Sequence, residues 1–511
     1  MRNREEPKNA ISGTARNRGE LFARNRDFVG RTIFAVSCGL HSFVSSKPKI
    51  FTDMTENKDI SRCGDDHGTT IVTGTANGIR LPATADLPPV VRELVDGAPE
   101  KFRMPTFIAC MAPLGCLATR LRFHYPYDRG PSAPLLQTII CSEQSGGKSF
   151  ARYVENVIMA RQRERDDRER RREQEYRELR QRRSKNKDMP EAPHTTIVCC
   201  PVNISIAQLV KRADAPVRYF GAPLTLWTFS EELATATESS RRAFSNIKTI
   251  MRLAYDLGSK YGMDYLSETS YSASVDILYN TMFCTTPSAL DEYMNDRAIE
   301  DGNCTRAIFC DIDSKIGDDA PVFREPGPDE RSVIDRTIRL MMDDTYNDDG
   351  SIKPEMLIDM EWLAGDVSAW CDSKKCEAIR TGSDALDTFY KRSSVSAFRI
   401  AALCQYLFGL ENAADIRRKV RDIYLCMAEQ ILQSMLDLFG ARYDRLRRNR
   451  RPRTYRRTSL FDRLPDEFTR EMLQEAIESM ELSTDYTVFL SKWNGKGFIE
   501  KTGKRSFRKT A

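Results

Sequence analysis

Apolar and polar positions fall into a readable order from about Pro88 onward. Val90 to Val95 sets two apolar pairs around Arg92-Glu93, the spacing of a short helix. Met104 to Thr119 is apolar on every side and predicts a buried helix, with Pro105 near its start and a kink at Pro113. Leu121 to Tyr125 and Leu135 to Cys141 predict strands joined by a Gly130-Pro131 turn. The second strand leads into a glycine-containing loop, after which Phe150 to Ala160 predicts a helix. Further strands are predicted at Thr195 to Pro201, Leu224 to Phe229, Ser274 to Phe283 and Arg306 to Asp311. Helices such as Ile206 to Arg212 and Arg242 to Tyr255 lie between them. This alternation predicts an α/β fold whose sheet is at least partly parallel. From about residue 330 to 440 the pattern turns helical, most clearly over Ser396 to Leu410 and Ala413 to Phe439.

Two charged runs interrupt the pattern. Residues 161 to 187 hold thirteen Arg or Lys and seven Asp or Glu, which predicts that the helix begun at Phe150 continues into solvent. Its charges suit either i,i+4 pairing on a solvated helix or contact with nucleic-acid phosphates. Residues 442 to 457 contain nine arginines and one acid. Helices at Leu460 to Leu464, Thr469 to Met480 and Ser483 to Trp493 follow, then a hairpin of Gly497 to Thr502 and Arg505 to Thr510 around Gly503-Lys504. Three helices and a hairpin are the pattern of a winged helix-turn-helix. The first 87 residues show no sustained periodicity, and the region is expected to be flexible or poorly defined.

Composition narrows the setting. The 511 residues are 41% hydrophobic and 30% charged, with a net charge of +5, as in a soluble globular protein. No apolar run is long enough to span a membrane, so no membrane partner is expected. Fourteen scattered cysteines and four histidines offer no paired CxxC spacing for zinc. They suit buried, reduced thiols in the cytoplasm.

The loop Ser142-Glu143-Gln144-Ser145-Gly146-Gly147-Lys148-Ser149-Phe150 carries the candidate chemistry. Between a strand and a helix, Gly147-Lys148-Ser149 fits the end of GxxxxGK[ST], with Ser142 where the first glycine is expected. Backbone N–H groups of such a loop converge on phosphate. Lys148 then neutralises the β- and γ-phosphates, and the Ser149 hydroxyl binds Mg2+. An acidic partner is expected on a neighbouring strand, and Leu224 to Phe229 runs into Ser230-Glu231-Glu232. Glu231 is assigned to the metal and Glu232 to the attacking water; two exposed acids opening a helix are the alternative. Thr285 and Thr286, ending the run from Ser274, are candidates for sensing the γ-phosphate, and Arg306 for a finger reaching a neighbouring subunit's nucleotide.

Gly115-Cys116-Leu117-Ala118-Thr119-Arg120, the loop around Gly147-Lys148-Ser149, the mixed-charge run, Phe229-Ser230-Glu231-Glu232, and Glu300-Asp301-Gly302 with Arg306 occur in that order. Together they resemble the family called domain of unknown function 3987, whose members are primase/helicase-like P-loop ATPases of bacterial mobile elements and prophages. The resemblance covers roughly residues 88 to 440, and the tail looks like the winged helix that some members carry. It implies a RecA-like ATPase core acting in replication or mobilisation of an element. Ser142 departs from the pattern and bears on turnover. No primase domain is evident before residue 88, which implies a separate primase as partner.

The expected layout is therefore an undefined region at 1–87, a P-loop ATPase core at 88–330 with a charged helical insertion at 161–190, a helical subdomain at 331–441, an Arg-rich linker at 442–458 and a winged helix-turn-helix at 459–511. DNA contacts are expected from Arg447, Arg448, Arg450 and Arg451 in the linker and from Lys492, Lys504 and Arg505 in the tail. The expected function is an ATP-dependent DNA helicase or translocase, a homo-oligomer in the form of a hexameric ring. The alternative is a DNA-binding initiator or regulator that uses ATP as a switch.

Overall fold

The computed structural model describes residues 79–182, 190–233, 247–264, 271–312, 317–410, 413–450, 459–479, 485–495 and 497–510, and all their side chains except those of 448–450, 459 and 462. Expectations for residues 1–78 and for 183–189, the end of the charged run, lie outside the described residues. The fold is mixed α/β with a parallel sheet, and no helix among the described residues is long and apolar enough to cross a membrane.

Helix α1 (Pro89–Val95) leads into α2 (Glu100–Leu117), whose apolar circumference is buried from Met104 onward. Two prolines lie inside α2, and the buried Asn280 side chain packs against the helix beside the second. Asn280 Nδ2 donates to Ala112 O and to Pro134 O, each at 3.0 Å, and its Oδ1 accepts from Leu136 N. Strands β1 (Leu121–His124), β2 (Pro131–Ser132) and β3 (Gln137–Ser142) follow. The two strands expected to be joined by a simple turn belong to different sheets. β1 pairs antiparallel with β2, whereas β3 enters the central sheet.

Helix α3 (Phe150–Arg182), α4 (Ile206–Phe220), β4 (Leu226–Ser230), α5 (Ile247–Leu253) and the hairpin β5 (Lys260–Met263) with β6 (Ala273–Asp276) come next. Then follow β7 (Tyr279–Thr285), α6 (Pro287–Tyr293), α7 (Asp296–Glu300) and β8 (Ile308–Ile312). The single strand expected over Ser274 to Phe283 is thus two, β6 and β7, broken at Ile277-Leu278. The central sheet has the order β4-β7-β3-β8, parallel throughout. The run at Thr195 to Pro201 joins its edge only by a parallel bridge of Cys199 to Trp227. Strands buried on both faces, such as Tyr279–Thr285, account for unbroken apolar runs without alternation.

Helix α3 meets the expected solvated helix only in its last turns, where most side chains from Gln174 to Arg182 are exposed and Arg177 with Glu173 and Arg182 with Glu178 pair at i,i+4; up to Glu173 it is docked. Buried Glu155 accepts from Trp227 Nε1 of β4 at 2.9 Å and pairs with Arg163. Arg165 lies over the Tyr346 ring at 3.9 Å, and Arg161 pairs with Asp335 at 2.6 Å. Asp166, fully buried, accepts from Val198 N (3.0 Å) and Cys199 N (2.6 Å) and from Gln162 Nε2 (2.8 Å). One carboxylate thereby satisfies the backbone donors of the sheet's irregular edge. Asp166→Ala strands two N–H groups and is expected to cost about 2–4 kcal/mol in urea unfolding, whereas Asp166→Asn, which retains an acceptor, costs about 1 kcal/mol. Burial, outweighing those three bonds, raises the Asp166 pKa. The native state therefore holds this proton more tightly than the unfolded chain, and stability falls as pH rises through the window just above the ordinary carboxylate value. Asp166→Asn should flatten that slope.

Helices α8 (Pro328–Thr345), α9 (Ala364–Thr381), α10 (Asp384–Phe408) and α11 (Ala414–Met435) form the helical part. A two-residue strand β9 (Met356–Leu357) pairs parallel with β1. After a π-helical turn at Leu436–Gly440, α12 (Ala441–Arg450) runs through the first half of the expected Arg-rich linker. Arg442 bonds Asp296 at 2.6 Å and Met294 O at 3.1 Å, so this segment is anchored helix rather than free linker.

The tail contains α13 (Ser459–Arg463), β10 (Glu467–Thr469), α14 (Arg470–Ser479), α15 (Tyr486–Asn494), β11 (Ile499–Lys501) and β12 (Ser506–Lys509). The expected hairpin is present, with β10 added in the order β10-β12-β11. Leu460, Phe468, Leu473, Trp493, Phe498 and Phe507 form its own core.

Candidate functional site

All four strands of the central sheet are parallel, so the segments after β3, β4, β7 and β8 emerge at one edge. From the neighbours β3 and β7 the chain leaves in opposite directions: β3 leads out toward the Cys199 edge, and β7 leads back past β3 to β8. Crevices at such points hold ligands in parallel α/β sheets.

The loop of Ser142 to Ser149 sits there. Ser145 and Gly147 have φ of 63° and 82°, the left-handed region that turns successive N–H groups to one side. Ser142 is buried, and its Oγ donates to Gly146 O at 3.3 Å. A Cβ at Gly146 would lie 1.9 Å from Ser142 Oγ. The side chain that departs from the motif therefore occupies space left open by the next glycine. At Gly147 a Cβ would lie 2.8 Å from Pro321 Cγ and 2.9 Å from Phe102 Cζ. Phe102, Phe150 and Phe323 pack together at 5.3–5.7 Å between centroids and support the loop from behind. Lys148 Nζ donates to Ser142 O at 2.6 Å and Glu143 O at 3.0 Å, folding over the loop. Glu143, Gln144, Ser145 and Ser149 are exposed.

The acids of β4 lie one strand further away than expected, since β7 separates β4 from β3. Glu231 nevertheless reaches across to pair with Arg152 in the first turn of α3. Burial and then Glu231 push the Cys284 thiol up to about 12, while Lys148 and Arg152 pull it down. All three charged groups act electrostatically on the end of β7. Glu232 is exposed and makes no ion pair among the described residues; its backbone closes a turn with Ser230 Oγ. Thr285 is paired in register with Cys141, and its hydroxyl donates to Thr286 O at 3.1 Å. Thr286 is the N-cap of α6, its hydroxyl 3.3 Å from that of Ser288.

Arg306 is not brought to this edge. It precedes β8, so it lies at the opposite edge of the sheet, half-buried, with Nη1 donating to Gly302 O at 2.9 Å. The adjacent turn holds the guanidinium inward. Of the expected DNA residues, Arg447 is bound to Tyr443 OH at 2.8 Å and Arg505 to Glu471 at 3.3 Å. Lys492 and Lys504 are exposed on α15 and at the β11–β12 turn. The side chains of Arg448 and Arg450, and all of Arg451, lie outside the described residues.

Sequence reasoning missed Arg152 and Asp311. Arg152 is three positions beyond Ser149, and that spacing could have suggested it. Asp311 lies in register with Cys141, whose thiol is raised to about 12 by burial and then by Asp311; only the pairing of β8 with β3 reveals this.

The donor set fits a nucleotide with magnesium. Loop amides would face phosphate, Lys148 would exchange Ser142 O and Glu143 O for phosphate oxygens, and the glycines leave room where side chains would intrude. Magnesium on phosphate takes most of its oxygens from phosphate and water, so Ser149 and Glu231 suffice. No group of three or more His, Cys, Asp or Glu that would cage a metal occurs among the described residues. No family model matches the chain, and no curated protein matches it.

Proposed function

We propose that the chain is a P-loop ATPase with a RecA-like core and a C-terminal winged helix, acting on DNA as a helicase or translocase in replication or mobilisation of a genetic element. The observation that carries this reading is a glycine loop bearing Lys148 at the switch point of a parallel sheet, with Glu231 of the β4 end paired to Arg152 in the first turn of the helix that follows the loop. ATP would lie on the loop amides with Lys148 on its β- and γ-phosphates, and Mg2+ would be held by Ser149 and Glu231. Bound magnesium would supply charge neutralisation at the phosphates. For Glu231 to take that place, Arg152 must give up its partner and is then free to turn toward phosphate. Glu232, exposed and without an ion pair among the described residues, is the group suited to orient water.

The tail supports the DNA half of the reading. Thr487, Val488, Ser491 and Lys492 form the exposed face of α15, and Lys501, Lys504 and Arg505 line the hairpin beside it. A helix for the groove and a basic wing for the backbone suit duplex DNA.

The test is ATP turnover by the full chain with single- and double-stranded DNA. DNA is expected to stimulate turnover, and Glu232→Gln to lower it by about two orders of magnitude while nucleotide affinity stays within about twofold. If Glu232→Gln leaves DNA-dependent function intact, the nucleotide acts as a switch and the motor reading fails.

A further inference from the structure

At the sheet edge opposite the glycine loop, three guanidinium groups gather around one tyrosine, with a fourth, that of Arg252, beside them on Asp301. Tyr255 is 1% exposed, with its hydroxyl 3.1 Å from Ser396 Oγ. Arg399, Arg392 and Arg306 lie 4.0, 5.4 and 5.8 Å from its ring centre. Arg252 is close enough to Arg306 to depress its pKa, after burial and Arg392. Among the described residues two acids pair with them. Asp256 pairs with Arg399 at 3.1 Å, and Asp301 with Arg252 at 3.5 Å. Arg399 is 2% exposed and its second arm donates to Leu135 O at 3.1 Å, yet its Nε finds no acceptor. The buried Nε of Arg306 finds none either. Arg392 makes no hydrogen bond or ion pair among the described residues.

Buried charge is costly unless paired, and like charges held together raise that cost. Two Nε–H donors without acceptors, Arg392 with no hydrogen bond among the described residues, and excess positive charge make a cluster suited to an anion. We propose that Arg306 and Arg392, with Arg252 at the rim and Arg399 behind, bind a phosphate group at this edge. Planar guanidinium forks suit phosphate oxygens. The phosphate is that of a DNA strand, and the site stands on geometry separate from the glycine loop.

The probe is inorganic tripolyphosphate, titrated calorimetrically into full-length Lys148→Ala protein so that the loop is removed from the reading. Binding is expected to persist there, and adding Arg392→Ala to weaken it about tenfold, the size of one lost charge-assisted hydrogen bond. Arg392 holds nothing in place, so this variant should melt as the parent does; Arg392→Lys should fall between the two. Equal affinity with and without Arg392→Ala overturns the proposal. If Lys148→Ala instead leaves the parent's tripolyphosphate stoichiometry unchanged, the loop reading falls while this site stands. With oligothymidylate as probe, Arg392→Ala lowers affinity and flattens the salt dependence by about 0.7 per lost phosphate contact. If DNA affinity holds and ATP turnover per chain falls, the phosphate is a second copy's nucleotide and the proposal is overturned. Unchanged DNA affinity together with unchanged turnover also overturns it.

Discussion

Lys148→Ala is expected to weaken ATP binding about a hundredfold while shifting the melting temperature by no more than about 2 °C. The contrast follows from where the ammonium spends its bonds. Without ligand it donates to Ser142 O and Glu143 O. The second of these bonds is exposed, and water replaces the lost donor at little cost to the fold. In the complex the same donors face phosphate oxygens, where two charge-assisted bonds are worth about 3 kcal/mol together. Titration with a fluorescent ATP analogue, alongside a thermal melt, separates the two effects. Parent-like affinity in Lys148→Ala would remove the loop from the function.

Gly146→Ala is expected to weaken nucleotide binding about tenfold, and Ser142→Gly in the same chain to restore most of it. The backbone at Gly146 is outside the left-handed region, so conformation does not forbid a side chain there. Only collision does: the new Cβ would sit 1.9 Å from Ser142 Oγ and 3.1 Å from Glu143 O. Relieving it turns the Ser142 side chain or opens the loop, at an overpacking cost of about 1–3 kcal/mol. Removing the Ser142 side chain empties the contested space. Ser142→Gly alone should be nearly neutral. Additive losses in the double variant, in place of rescue, would show that Ser142 and Gly146 do not share that space.

The pair also explains why Ser142 looked like a defect in sequence. A motif position states which backbone freedom is usual, not which neighbour supplies the space. Similarly, the charge run after Ala160 looked like a solvated helix because opposite charges at helical spacing suit water equally well. Whether Glu155 and Asp166 face water or Trp227 and the Val198-Cys199 backbone depends on where β4 and the edge strand lie. Arg306 precedes β8, as a strand predicted over Arg306 to Asp311 already implies, but only the folded turn shows that its guanidinium comes back onto Gly302 O.

Local pattern alone determined the elements with strong periodicity or hard punctuation: the buried α2, β3 with its glycine loop and following helix, β4 ending in two acids, the long α10 and α11, and the hairpin of the tail. These follow from burial and backbone preferences that act over a few residues. Tertiary structure alone decided strand order, and with it everything that depends on which residues meet. It set β7 between β3 and β4, carried Glu231 to Arg152, aligned Asp311 with Cys141, and gathered Arg306, Arg392 and Arg399 around Tyr255. Such contacts join residues tens to hundreds of positions apart, and their geometry is set by the packing of the whole core. The glycine loop was therefore legible from the start, while the arginines at the far edge of its sheet were not.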